Sequence, residues 1–113
     1  MKIQEAQSQV DQYISGFREG YFPPLNNLAR LMEEVGELSR ELNHRFGMKK
    51  KKPEKALSDG CCEELGDIFF TVITLANQLD VDLSQALNSV IQKYSERDQD
   101  RWTQKNLHNP TKS

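Results

Sequence analysis

A chain of 113 residues is long enough for one compact domain and too short for two conventional ones. Fifteen Lys and Arg stand against 17 Asp and Glu, and a net charge of −2 argues against a dedicated nucleic-acid or membrane binder. Six Gly and four Pro gather in a few places and leave long uninterrupted stretches, the composition of an all-α chain built as a four-to-five-helix bundle.

From the N-terminus, Ile3, Val10, Tyr13, Ile14 and Phe17 recur at helical spacing until the pattern stops at Gly20-Tyr21-Phe22-Pro23-Pro24, which predicts a first helix over roughly 2–19. That opening segment also lacks the apolar core of a signal peptide. Leu25, Leu28, Leu31, Met32, Val35, Leu38 and Leu42 then form an apolar stripe about 100° wide, as a helix packed on one side requires, and place a second helix at about 24–46. Gly47, the run Lys49 to Lys52 and Pro53 predict a basic exposed loop reaching about Asp59.

A third helix is expected over about 60–79. Leu65, Ile68, Phe69, Val72, Ile73, Leu75, Ala76 and Leu79 cover most of its circumference, which makes it central or shared with another subunit. Its apolar run at 68–76 is too short to span a bilayer, so a cytoplasmic protein is expected. Cys61 and Cys62 are adjacent, match neither a CxxC nor a zinc spacing, and read as reduced, packed thiols. Asp82 with Gln85 is a capping pair for a fourth helix through Ala86, Leu87, Val90, Ile91 and Tyr94, expected to end near Trp102 to Leu107. A single domain over 1–107 followed by a frayed tail at 108–113 completes the organisation.

The informative feature is an internal repeat. Residues 33–38 read Glu-Glu-Val-Gly-Glu-Leu and residues 63–68 read Glu-Glu-Leu-Gly-Asp-Ile, one copy on the second helix and one on the third. Residues three apart share a helix face, so Glu34 with Glu37, and Glu64 with Asp67, each present two carboxylates side by side. Such pairs repel by a few tenths of a kcal/mol, and a glycine inside a helix costs about 0.5–1 kcal/mol relative to alanine. Both costs recur at equivalent positions. If the two helices pack antiparallel, with Gly36 and Gly66 permitting close approach, the two pairs converge on one site. Four converging carboxylates call for a hard divalent cation with oxygen ligands; Mg²⁺ fits, with Mn²⁺ as a substitute, and points to a substrate carrying phosphates.

These residues resemble the signature of the MazG-type all-α nucleoside triphosphate pyrophosphohydrolases, Glu-Glu-x-x-Glu on one helix and Glu-x-x-Asp on a later one. The matching positions are Glu33-Glu34-x-x-Glu37 and Glu64-x-x-Asp67, and the length and helix order are similar over nearly the whole chain. The resemblance implies that Glu34, Glu37, Glu64 and Asp67 hold Mg²⁺ and that Glu33 is an accessory carboxylate that positions or deprotonates water, Glu33 and Glu37 being the catalytic pair. It implies cleavage of a (deoxy)nucleoside triphosphate between the α and β phosphates to a monophosphate and pyrophosphate, a nucleotide-pool house-cleaning role, and assembly as a homo-oligomer, dimer or tetramer.

The basic stripe Lys93, Arg97 and Arg101, at i, i+4 and i+8 on the fourth helix, suits phosphate oxygens, against the reading that it is a solvated helix face. The lysine run 49–52 reads as a solvated loop ahead of a basic lid. Asn27, Phe70 and Trp102, with Phe22, are candidates for a base pocket, although such residues are more often core or interface. Two other classes stay open at this point: a non-catalytic helical nucleotide-binding module, and a di-iron carboxylate bundle. The second needs two Glu-x-x-His pairs, of which only Glu41 to His44 exists, so His44 reads as a surface residue.

Overall fold

The computed structural model describes residues 1–47 and 54–105, with the backbone alone at 54–59. Four helices and no strand occur among the described residues: α1 (Ile3–Ser15), α2 (Pro24–Phe46), α3 (Glu54–Gln78) and α4 (Leu83–Asp98). No helix among them is long and apolar enough to cross a membrane. The chain divides into two compact units, 1–83 and 84–113.

In the first unit α1 is shorter than its periodicity predicts. At its start the Glu5 carboxylate accepts the Lys2 backbone N–H at 3.2 Å. At its end Gly16 and Phe17 donate to Gln12 and Ile14, and Gly20 adopts φ +60°, which turns the chain before Tyr21. Phe17 therefore lies beyond the helix, and its ring meets that of Tyr13 edge to face at 5.2 Å. Pro24 occupies the first turn of α2, where its missing N–H costs nothing, and α2 runs to the predicted boundary.

α2 and α3 pack antiparallel: Asn27 bonds to Gln78 at one end, and Glu41 lies against Gly60 at the other. The inner line of α2 is Asn27, Leu31, Glu34, Leu38 and Glu41, spaced alternately four and three apart like a coiled-coil seam. This corrects the expected burial of the apolar stripe. Leu31 and Leu38 are half-buried, but Leu25, Leu28, Met32, Val35 and Leu42 are exposed, from 41% for Leu42 to 77% for Leu25.

α3 begins at Glu54, earlier than expected, because Gly60 sits inside the helix instead of breaking it. A Cβ on Gly60 would stand 2.7 Å from Glu41 Oε2, so any larger residue here would push the end of the Glu41 side chain aside. The role expected of Gly36 and Gly66 falls to Gly60, since a Cβ at either of those two would meet nothing within 4 Å. Cys61, Thr71, Ile73, Thr74 and Ala76 are buried along α3, whereas Cys62 is exposed; both thiols are free. The Thr71 and Thr74 hydroxyls donate to the Asp67 and Phe70 carbonyls one turn back, which satisfies two buried polar groups within the helix itself. Asp80 closes α3 at φ +54° while the Val81 N–H reaches the Ala76 carbonyl at 2.8 Å.

α1 is tied to α3 by amides. Gln7 donates to Asn77 Oδ1 and the Val81 carbonyl, Asn77 donates to the Gln7 carbonyl, and the Leu83 N–H donates to Gln7 Oε1. In the second unit α4 stops at Asp98, short of the predicted end. The Arg101 N–H donates to the Asp98 carbonyl, and the Asp98 carboxylate gathers both Arg97 and Arg101. The lysine run 49–52 and the tail 108–113 lie outside the described residues.

Candidate active site

The antiparallel pairing of α2 and α3 carries the first acidic turn onto the second. Glu34, Glu37 and Glu64 each offer a carboxylate oxygen within 4.8 Å of the other two. Three of the four ligands expected from the sequence are thus drawn together from two helices. Asp67, half-buried one turn beyond Glu64, lies outside that group, and Glu33 is exposed beside it on α2.

The cluster is electrostatically unfinished. Glu34 and Glu64 each keep one buried carboxylate oxygen, Oε2, with no hydrogen-bond partner. Partial burial, a hydrogen bond with Glu34, and the negative charges of Glu37 and Glu34 push the Glu64 carboxyl from 4.5 up to about 7. Without another cation, protonation of Glu64 relieves the repulsion. A donor set made only of carboxylates, with two orphaned oxygens inside it, fits a hard divalent ion such as Mg²⁺.

His44 departs from its expected surface position: it is half-buried, and its Nδ1 is buried with no hydrogen-bond partner among the described residues. It does not join the carboxylate group, so the histidine a di-iron centre requires is missing from the described cluster.

Next to the carboxylates is a cavity of about 420 Å³ lined by Tyr13, Phe17, Phe22, Phe70, Thr71 and Thr74, together with Asn27 and Arg30. Phe70, which the helical pattern of α3 sets apart from its apolar residues, points here and meets the Tyr13 ring edge to face at 6.3 Å. Asn27 is 5% exposed, and its amide donates to the Phe22 carbonyl and to Gln78 Oε1. Gln78 in turn donates to the Phe22 carbonyl at 2.6 Å. Asn27 therefore fixes the aromatic turn to α3, and both protons of its amide are already committed. The Tyr21 hydroxyl donates to Asp11 and accepts from Asn77; burial first and the Asp11 bond second hold its pKa above the ordinary tyrosine value.

One cation of this region escaped the sequence reading. Arg30 lines the cavity, and its Nε lies 3.9 Å from Glu34 Oε1. An Arg four residues before a Glu reads as an ordinary pair on a helix surface, so only the juxtaposition with the cavity singles it out.

The predicted phosphate-binding stripe belongs to the second unit, where Lys93, Arg97 and Arg101 are exposed. Arg97 grips Asp98 with two hydrogen bonds of 2.8 and 3.0 Å, and Arg101 contacts the same carboxylate at 3.5 Å. The Arg97 bonds hold Asp98 below the usual carboxylate range. Lys93 and Arg97 also lie over the Tyr94 ring, at 5.2 and 4.5 Å from its centroid. Trp102, the third candidate for the base pocket, is exposed in this same unit.

Comparison with known proteins agrees with the carboxylate pattern. Residues 22–102 match the model of the MazG nucleotide pyrophosphohydrolase domain. The chain is 50% identical over 105 residues to the uncharacterized protein YpjD of Bacillus subtilis (strain 168), covering 91% of this chain and 92% of that one. Among solved structures, the Bacillus-conserved MazG protein, a nucleotide pyrophosphohydrolase, superposes with a TM-score of 0.74 at 44% identity, covering 89% of this chain and 97% of that one. The crystal structure of YpjD from Bacillus subtilis gives 0.73 at 45% identity, covering 83% and 95%.

Proposed function

Because the chain belongs to the MazG nucleotide pyrophosphohydrolase family and is an enzyme of that class, we propose that it hydrolyses a (deoxy)nucleoside triphosphate at the α–β anhydride. The products are the nucleoside monophosphate and pyrophosphate, in a cytoplasmic, pool-cleaning role. The observation that carries this reading is the convergence of Glu34, Glu37 and Glu64 from two helices, with the unpartnered oxygens of Glu34 and Glu64.

Glu34, Glu37 and Glu64, with Asp67 one turn away, would hold Mg²⁺ or Mn²⁺. When bound, the ion supplies charge neutralisation for the triphosphate and lowers the pKa of a water. Everything else falls to the protein. Glu33, outside the cluster and exposed, is in this reading the carboxylate that orients the attacking water or accepts its proton. The cavity walled by Tyr13, Phe17, Phe22 and Phe70 offers ring faces for stacking a base, and its Thr71 and Thr74 hydroxyls, whose protons are engaged with their own helix, can only accept. Lys93, Arg97 and Arg101 supply positive charge for the outgoing pyrophosphate in this reading, Arg97 and Arg101 once released from Asp98. The chain acts as one domain and as a homo-oligomer, a reading supported by the uncovered apolar face of α2.

The test is to incubate the purified protein with canonical and modified (d)NTPs and Mg²⁺ and to assay pyrophosphate and monophosphate. Glu37→Ala and Asp67→Ala are each expected to abolish turnover with helix content unchanged. Undiminished activity in those variants, or orthophosphate as the first product, refutes the assignment.

A further inference from the structure

A nucleotide bound with its base in the aromatic cavity and its phosphates at the carboxylate cluster must pass its α-phosphate across the boundary between them. Arg30 stands at that boundary. It lines the cavity, and its guanidinium is 3.9 Å from Glu34. Its hold on Glu34 is loose: the distance is at the outer limit of an ion pair, and the Arg30 side chain is 54% exposed. Arg30 forms no hydrogen bond with another described residue, so none of its five N–H donors is committed to one of them. The contrast with Arg97 and Arg101, both hydrogen-bonded to Asp98, is plain.

We propose that Arg30 is a substrate-binding residue that grips the α-phosphate, the phosphate retained on the monophosphate product; this rests on the reading of the site as a triphosphate pyrophosphohydrolase. A planar guanidinium can take two phosphate oxygens at once. The same geometry sets the direction of exchange. With Glu34, Glu37 and Glu64 holding a cation, the Glu34 charge that faces Arg30 would be engaged there, and the guanidinium would be left to the incoming phosphate. Arg30 thereby orients the phosphate under attack without touching the departing pyrophosphate, and its loss weakens the base-bearing half of the substrate alone.

Titration calorimetry in excess Mg²⁺ separates the two halves. Each of the four deoxynucleoside monophosphates is compared with its deoxynucleoside, and pyrophosphate is titrated separately. In the wild-type protein at least one monophosphate is expected to bind about tenfold to a hundredfold more tightly than its nucleoside, the scale of a charge-assisted hydrogen-bonded contact. Arg30→Ala collapses that ratio toward one and leaves pyrophosphate and nucleoside affinities unchanged, while Arg30→Lys restores part of it. Retained nucleoside binding shows that the cavity is intact, and Arg30→Gln, which keeps the length and loses the charge, serves if the alanine variant does not fold.

A ratio unchanged by the substitution, an equal loss of pyrophosphate affinity, or no advantage of any monophosphate over its nucleoside in the wild type overturns the proposal. Arg30-dependent monophosphate binding without pyrophosphate release from any triphosphate refutes the hydrolytic reading and leaves the assignment of Arg30 standing.

Discussion

Glu64 is the residue through which the site answers to pH. Its folded-state value of about 7 stands above the ordinary 4.5, so between those limits the folded protein keeps a proton that the unfolded chain releases. The contribution of Glu64 to stability is therefore present below about 4.5, declines as pH rises through about 7, and is level above. In EDTA, the melting temperature of the wild type relative to Glu64→Gln is expected to fall across that window. Added Mg²⁺ is expected to raise the wild-type melting temperature more above pH 7 than below it, because the ion competes with the proton for the same oxygens. A relative melting temperature that climbs with pH, or no Mg²⁺ shift at any pH, contradicts this account. The carboxylates were legible in the sequence because repulsion on one helix face is a visible local cost. Arg30 and the structural role of Asn27 were not, because each depends on a neighbour more than one turn away.

Between elements, the period of α2 and α3 was readable, but not the side each presents to the other. α2 carries two parallel lines of coiled-coil spacing: Asn27, Leu31, Glu34, Leu38 and Glu41, which faces α3, and Leu25, Leu28, Met32, Val35, Leu42 and Phe46, which does not. Hydrophobicity alone selects the second line, yet the amides and carboxylates of the first are what this contact uses. The glycines were misread for a related reason: composition marks Gly36 and Gly66 because they repeat, whereas close approach is decided by what stands opposite. Gly60→Ala pushes the end of the buried Glu41 side chain aside, a cost that the alanine's helix propensity partly offsets, and a net loss of about 1 kcal/mol is expected. Gly36→Ala and Gly66→Ala meet open space in the chain itself and are expected to gain about 0.5–1 kcal/mol each. Urea denaturation of the three variants checks the opposite signs. A stabilised Gly60→Ala would show that Glu41 gives way freely.

For the whole molecule, the number and order of helices followed from periodicity and breakers, whereas what lies on the outer line of α2 could not, since an apolar stripe reads the same whether its own chain or another covers it. Met32 is 68% exposed and Phe46 73%, with Leu25, Leu28, Val35 and Leu42 along the same line. A contiguous apolar face of this length is uncommon on a lone chain and fits contact between copies. On that basis the wild-type protein is expected to sediment as a dimer or tetramer, and Met32→Glu, which sets a charge in the middle of the line, to shift it toward monomer with at least about tenfold weaker association. The exposed position makes the substitution harmless to the isolated fold, so helix content should not change. If the wild type sediments as a monomer over the accessible concentration range, the face serves some other purpose. If the Met32→Glu protein stays assembled, the copies meet elsewhere.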